Sequence, residues 1–175
     1  QPSHIYYKNR VSFDEFLNIS NNIIKISACL ASPLNKLSEN NPYYNKLAKH
    51  YDYYEIQYHN CNEQIKYNKK LYKMSKEYNK PLIVGTYTHN LDQYKAECRY
   101  IRQLSKNITF SNEDEFDLTF KNYEELVNMF KEQNSLPMEI VLEAINNTNK
   151  MSDMCEEIKL DLSFKYPVLS DNDEK

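Results

Sequence analysis

The stretch Ile83-Val84-Gly85-Thr86-Tyr87-Thr88-His89-Asn90-Leu91 reads as a buried strand that runs into a His-bearing loop and then a helix. Upstream, residues 62 to 79 carry Tyr67, Leu71, Met74 and Tyr78 at steps of four and three, with lysines opposite. That spacing predicts an amphipathic helix. Before it, Tyr53-Tyr54-Glu55-Ile56-Gln57-Tyr58-His59 is a second short strand that ends in histidine. Ligands and metals in α/β folds are held at strand ends, so His59 and His89 at successive strand ends point to a site or its remnant.

Working outward, Ser12-Phe13-Asp14-Glu15 fits a capping box and predicts a short helix over 13–19. Residues 23–28, "IIKISA", read as a buried strand, followed by Cys29 and a turn near Pro33. Pro42 opens a helix to His50, and the strands at 53–58 and 82–86 flank the helix at 62–79. A further helix over 92–104 is expected to bury Tyr94, Cys98, Ile101 and Leu104. This β-α-β-α alternation predicts parallel strands with crossover helices. At residue 111 the character changes to an acidic loop, a short strand over 116–119, a helix capped by Asn122 and Glu125 through Phe130, and one from Pro137 to Asn149. Past Leu162 periodicity is lost, which reads as a linker or tail.

Composition narrows the classes. With 175 residues, 41% hydrophobic and 27% charged, the chain has enough apolar material for a real core under an ordinary charged surface. A net charge of -3 supplies no general attraction to nucleic acid or membrane, and no apolar run approaches a membrane span. The expectation is a soluble, cytoplasmic chain. Cys29, Cys61, Cys98 and Cys155 lack the paired spacing of a structural zinc site and are too few for a disulfide framework. A single glycine excludes a Gly-rich phosphate loop and leaves asparagine to serve the left-handed turns.

Six blocks, in order, resemble the bacterial C-family DNA polymerase III alpha subunits. "IYYKNRVSFDEFL" is similar to the family's Tyr-Tyr-Lys-Pro-Arg stretch, "IIKISACLAS" to Leu-Ser-Gly-Cys-Leu-Ala-Gly, and "YYEIQYHNCNEQ" to Leu-Glu-Ile-Gln-x-His-Gly. "KPLIVGTYTHNLDQYKAE" resembles Pro-Leu-Val-Ala-Thr-Asn-Asp-x-His-Tyr with its acidic helix, and "DEFDLTFKNYEELVNMF" the stretch Glu-Phe-Tyr-x-Lys-x-x-Glu-Glu-Met. "MEIVLEAINNTNKMSDMCEEIKLDLS" resembles an Asn-Thr-x-Glu-Ile-Ala helix and a Cys-Asn-Val-Glu-Leu strand. Each block alone is weak; their colinearity makes the match specific.

The resemblance implies an α/β fold that is part of a distorted β/α barrel of the polymerase-and-histidinol-phosphatase (PHP) type, followed by a small, mostly helical segment. It divides the chain into 1–110, the C-terminal part of that barrel, 111–165, an α/β segment leading toward the polymerase core, and 166–175, a linker or tail. It further implies a structural fragment without polymerase carboxylates of its own, DNA and other replisome subunits as partners through the parent enzyme, and self-association through exposed sheet edges. Two alternatives remain: a metal-dependent phosphoesterase or 3′–5′ exonuclease, and a replisome docking module.

Carried over by position, Cys29 and His89 would be ligands of a zinc or manganese cluster. The family's acidic residue two places before the histidine is Tyr87 here, a phenol that stays neutral at pH 7 and supplies no charge to offset adjacent cations. Against the ligand reading, Cys29 reads as a small packed residue and His89 as a vestigial hydrogen-bonding group. Glu55 and His59 sit in a well-matched block, with Glu55 structural rather than catalytic. His4 and His50 read as exposed. The Tyr-rich "NPYY" and "HYDYY" are more simply packing residues than stacking platforms. Lys66, Lys69, Lys70, Lys73 and Lys76 are more simply a solvated face than a phosphate-binding one.

Overall fold

The structure is a computed structural model that describes residues 5, 6, 8–108 and 116–164. Strands β1 (Ile5–Tyr6) and β2 (Lys8–Asn9) form a small antiparallel pair. Then come α1 (Phe13–Leu17), α2 (Pro33–Lys36), α3 (Tyr44–His50), β3 (Tyr54–Ile56), α4 (Asn62–Tyr78), β4 (Leu82–Val84), α5 (Gln93–Ser105), α6 (Tyr123–Gln133) and α7 (Met138–Asp153).

Local chemistry accounts for where the helices begin and end. Ser12 and Glu15 form a reciprocal capping box on α1, and Asn122 with Glu125 forms another on α6. Asp92 caps α5 through the Lys95 amide. Asn79 and Asn134, the residues that end α4 and α6, adopt φ 51° and 47°, as does Asn107 at 50°. Asparagine thus fills the left-handed positions usually given to glycine. The one glycine, Gly85, has negative φ and serves a different purpose. A Cβ there would lie 2.0 Å from Glu55 Oε1. Gly85 is the gap that lets the Glu55 carboxylate lie across β4.

The sheet is small and parallel. Tyr54, Glu55 and Ile56 of β3 pair with Leu82, Ile83 and Val84 of β4. On the other side of β3, residues 25–27 run parallel, with Ser27 N donating to Tyr53 O and Tyr53 N to Lys25 O. On the inner side of residues 25–27, Asp52 Oδ2 accepts from the Lys25 amide at 2.8 Å, tying that segment to the turn before β3. The outer β4 edge is covered by side chains. From α7, Thr148 Oγ1 accepts from Val84 N at 3.0 Å, and Asn147 Nδ2 donates to Leu82 O at 3.1 Å. A helix therefore satisfies the β4 edge that would otherwise recruit another strand.

Packing follows the same order. Tyr54, Ile56 and Tyr58 alternate into the core with Leu82 and Val84, against Tyr67, Leu71 and Met74 of α4 and Val141 and Ala144 of α7. Full burial of Leu71 or Ile56 stabilises by roughly 1.5–3 kcal/mol each. Phe16 of α1 meets His50 and Tyr51 through tilted and edge ring contacts.

Several expectations need correction. The mixed helix and strand content and the parallel pairing are as expected, but the described residues are mostly helical and their parallel sheet has only two strands. The strand expected over 23–28 contracts to a single bridge between Ile26 and Tyr53, because Ala28 turns out with φ 57°. The strand expected at 116–119 is one bridge between Asn90 and Thr119. Helix α2 appears where a turn was expected, started by Ser32 and Pro33. Helix α5 buries none of its residues, so Tyr94, Cys98, Ile101 and Leu104 do not face the core. His50 is half-buried, its Nε2 2.8 Å from Phe16 O. His4, the acidic loop at 111–115 and the segment 166–175 lie outside the described residues.

Of the tyrosines in the two Tyr-rich stretches, Tyr44, Tyr51 and Tyr54 are buried, Tyr53 is half-buried and Tyr43 is exposed. The α4 lysines are largely exposed, with Lys70 half-buried over the Tyr44 ring at 4.8 Å. No helix among the described residues is long and apolar enough to cross a membrane.

Candidate functional site

Three parallel segments, 25–27, β3 and β4, end on the same side, and their exits form the candidate site. Cys29 follows the first, His59 the second and His89 the third. Cys29 is half-buried, His59 is buried and His89 is exposed. Strand β3 separates the segment that leads to Cys29 from β4, which leads to His89.

Gln57 and Glu55 share the β3 face opposite Tyr54 and Ile56. Gln57 Nε2 donates to Glu55 Oε1 at 2.6 Å. Burial raises the Glu55 carboxyl above its ordinary value of 4.5, and the Gln57 hydrogen bond only partly opposes this.

His59 anchors an aromatic row. It stacks on Phe116 at 4.3 Å and 26°, with Tyr58 at 4.8 Å and Tyr87 edge-on at 5.9 Å. Tyr87 in turn lies 4.6 Å from His89. Tyr87 holds φ 50°, so a bulky residue occupies the left-handed region at the turn after β4. Its counterpart, Ala28, holds the same region beside Cys29.

The His59 end of the row is nearly dry. His59 is 3% exposed and its Nε2 is buried without a hydrogen-bond partner. Burial lowers the His59 imidazole to about 4, with Asp117 opposing and Lys121 assisting, so it is neutral at pH 7. Asp117 pairs with Lys121 at 2.8 Å. Burial pushes the Asp117 carboxyl up, and hydrogen bonds from Lys121 and Thr119 outweigh it, leaving the net shift downward.

What holds the β3 exit is a polar network that sequence reasoning missed. Asn68 of α4 donates to Gln57 O at 2.8 Å and to Gln133 Oε1 at 2.9 Å. Gln133 Nε2 donates to Gln57 O at 2.9 Å and His59 O at 2.7 Å, while Ser135 donates to Gln133 Oε1 at 2.6 Å. Gln64 completes it through Asn68 Oδ1 at 2.9 Å. A signal existed: Gln64 and Asn68 fall at i and i+4 on the face of α4 that also carries Leu71 and Ser75. The chain's heavy use of asparagine hid it.

Among the described residues, no three His, Cys, Asp or Glu side chains come together as they would around a metal ion. No family model matches the chain. It is 26% identical, over 183 aligned residues, to DNA polymerase III subunit alpha of Borreliella burgdorferi. The chain fits a fragment of such a subunit. The match takes in 95% of the chain, which spans only 15% of the relative's length.

Proposed function

We propose that the chain is a structural portion of a DNA polymerase III alpha subunit, the later part of its PHP-type domain together with the segment leading toward the polymerase core. In that role it buttresses the parent enzyme, which extends DNA with other replisome subunits, and it has no polymerase active site of its own. The observation that carries this is a similarity spread over 95% of the chain to a subunit of that name. The parallel strands β3 and β4 are consistent with a piece of a β/α barrel.

The metal alternative fits the donor set poorly. Cys29 and His89 are two ligands, Tyr87 stands where a carboxylate would offset cationic charge, and two donors do not hold a multi-metal cluster. Zinc or manganese at this rim needs donors from outside the described residues.

Equilibrium dialysis of the purified chain against Zn²⁺ and Mn²⁺, together with hydrolysis of a 3′-labelled single strand, tests the reading. The structural reading expects neither stoichiometric metal nor hydrolysis. Stoichiometric metal and hydrolysis, both lost in His89→Ala, would replace it with the phosphoesterase reading. Primer extension by the purified chain would overturn it outright.

A further inference from the structure

Helix α5 combines an orderly apolar stripe with almost no attachment to the body. Tyr94, Cys98 and Ile101 follow one another at steps of four and three, with Leu91 one turn before and Leu104 on the flank toward the groove. Leu91 is 69% exposed, Tyr94 68%, Ile101 65% and Leu104 55%. The side turned toward the protein is mixed: Ala96, Arg99 and Gln103 are the half-buried positions, and with Tyr100 and Leu104 they line an open groove of about 530 Å³ shared with residues 116–119. A 13-residue helix is marginal in water without tertiary contacts, and here its apolar face meets solvent.

The charges beside the stripe select what covers it. Lys95 and Arg102 flank one side, seven residues apart. Glu97 and Leu104 flank the other at the same spacing. These are the e and g positions of a heptad whose core positions are Tyr94, Cys98 and Ile101. In a parallel, in-register pair, Glu97 of one helix faces position 102 of the other, five residues on. Glu97 then meets Arg102 twice, once on each side of the seam. In an antiparallel pair, the Lys95 and Arg102 flank would face its own copy and repel. Glu97 and Arg102 are exposed and take part in no ion pair among the described residues.

We propose that the α5 face is an interface between two copies of this chain, packed as a parallel helix pair with Tyr94, Cys98 and Ile101 along the seam. Self-association then runs through α5 and not through the β4 edge, which α7 covers. Two heptads make a small interface, so the dimer is weak, with a Kd of roughly 10 µM to 1 mM.

Sedimentation velocity of the full chain across that concentration range reads the association. Reversible dimerisation is expected, weakened at least tenfold by Ile101→Asp, whose exposure leaves the fold of the body intact. Glu97→Arg and Arg102→Glu should each weaken it several-fold, and combining them should restore it, because the pair is swapped end for end. In a Cys155→Ser background, mild diamide oxidation should link two copies, and Cys98→Ser should abolish the link. A chain that stays monomeric at 1 mM overturns the proposal, as does a dimer indifferent to Ile101→Asp or a double swap that fails to restore association. Saturable binding of single-stranded oligonucleotide that shields Cys98 from alkylation on a monomeric chain would assign the face to nucleic acid and equally overturn it.

Discussion

Replacing Gly85 with alanine places a methyl group where the Glu55 side chain already lies. The added Cβ would sit 2.0 Å from Oε1, 2.3 Å from Cδ and 2.8 Å from Cγ of Glu55. The backbone cannot yield easily, because Gly85 N donates to Ile56 O at 3.0 Å at the end of the β3–β4 ladder. Glu55 must therefore swing away and give up its 2.6 Å hydrogen bond from Gln57. Losing a hydrogen bond to a charged group costs about 1.5–3 kcal/mol. Restricting the unfolded chain returns about 0.4–1 kcal/mol, since Gly85 has no positive φ to forbid alanine. The expected net loss is about 1–2 kcal/mol, or roughly 2–8 °C in Tm for a chain of this size. Urea unfolding followed by circular dichroism measures it, and a double-mutant cycle with Glu55→Ala isolates the cause. Once Glu55 is truncated to alanine the methyl group has room, so Gly85→Ala should be neutral or slightly stabilising in that background. Equal destabilisation in both backgrounds would refute the steric account, as would a neutral effect in the wild-type chain.

The remaining predictions rest on single contacts. His59 is held at about 4 in the folded state against an ordinary 6.5, so below pH 6.5 the unfolded chain binds the extra proton. Stability should fall as pH drops from 6.5 toward 4, by about 2–3 kcal/mol from this group, and His59→Phe should flatten that limb of the pH–stability curve. Glu55 has the opposite sign: its folded carboxyl lies above 4.5, so its contribution erodes as pH rises past 4.5. Glu55→Gln should gain on the wild type over that window, and a growing deficit instead would mean that the carboxylate is favourably placed. Thr148→Val leaves the Val84 amide without its acceptor, and hydrogen exchange at Val84 should accelerate while core amides of α4 stay protected. Asn122→Ala removes the α6 capping box and should cost about 1 kcal/mol, read from the urea midpoint at unchanged slope.

Order and type of element were readable because they depend on local terms. The capping box at Ser12, the one at Asn122, and the 4-and-3 spacing of Tyr67, Leu71 and Met74 are nearest-neighbour signals, and each produced its helix. The parallel pairing of β3 and β4 followed from the helix between them. Strand length was less readable. Residues 23–28 carry the composition of a strand, yet pairing stops where Ala28 adopts φ 57°, a conformation its side chain does not announce. The candidate site was legible only at its exits. His59 and His89 were placed at strand ends from sequence, but the Asn68–Gln133 network that fixes the loop carrying His59 joins residues 65 apart. No local pattern encodes such a pairing.

Helix α5 marks where periodicity stops being informative. Its apolar stripe is as regular as that of α4, and sequence reasoning assigned both to the core. The difference lies in the opposite faces. Helix α4 sets Gln64, Asn68 and Ser75 among its buried residues, with hydrogen-bond partners for Gln64 and Asn68 on other elements or on the same helix. Helix α5 instead turns Arg99 and Gln103 toward the groove, beside Ala96, Tyr100 and Leu104, while Tyr94, Cys98 and Ile101 stay outside it. A helix that turns its arginine and glutamine toward its own protein leaves the Tyr94–Cys98–Ile101 stripe for another surface, because both cannot be inward at once. The stripe fixes that a face is to be kept dry. The flanking charges, Lys95 and Arg102 against Glu97, carry the information about what dries it, and the end-for-end swap of Glu97 and Arg102 reads that information directly.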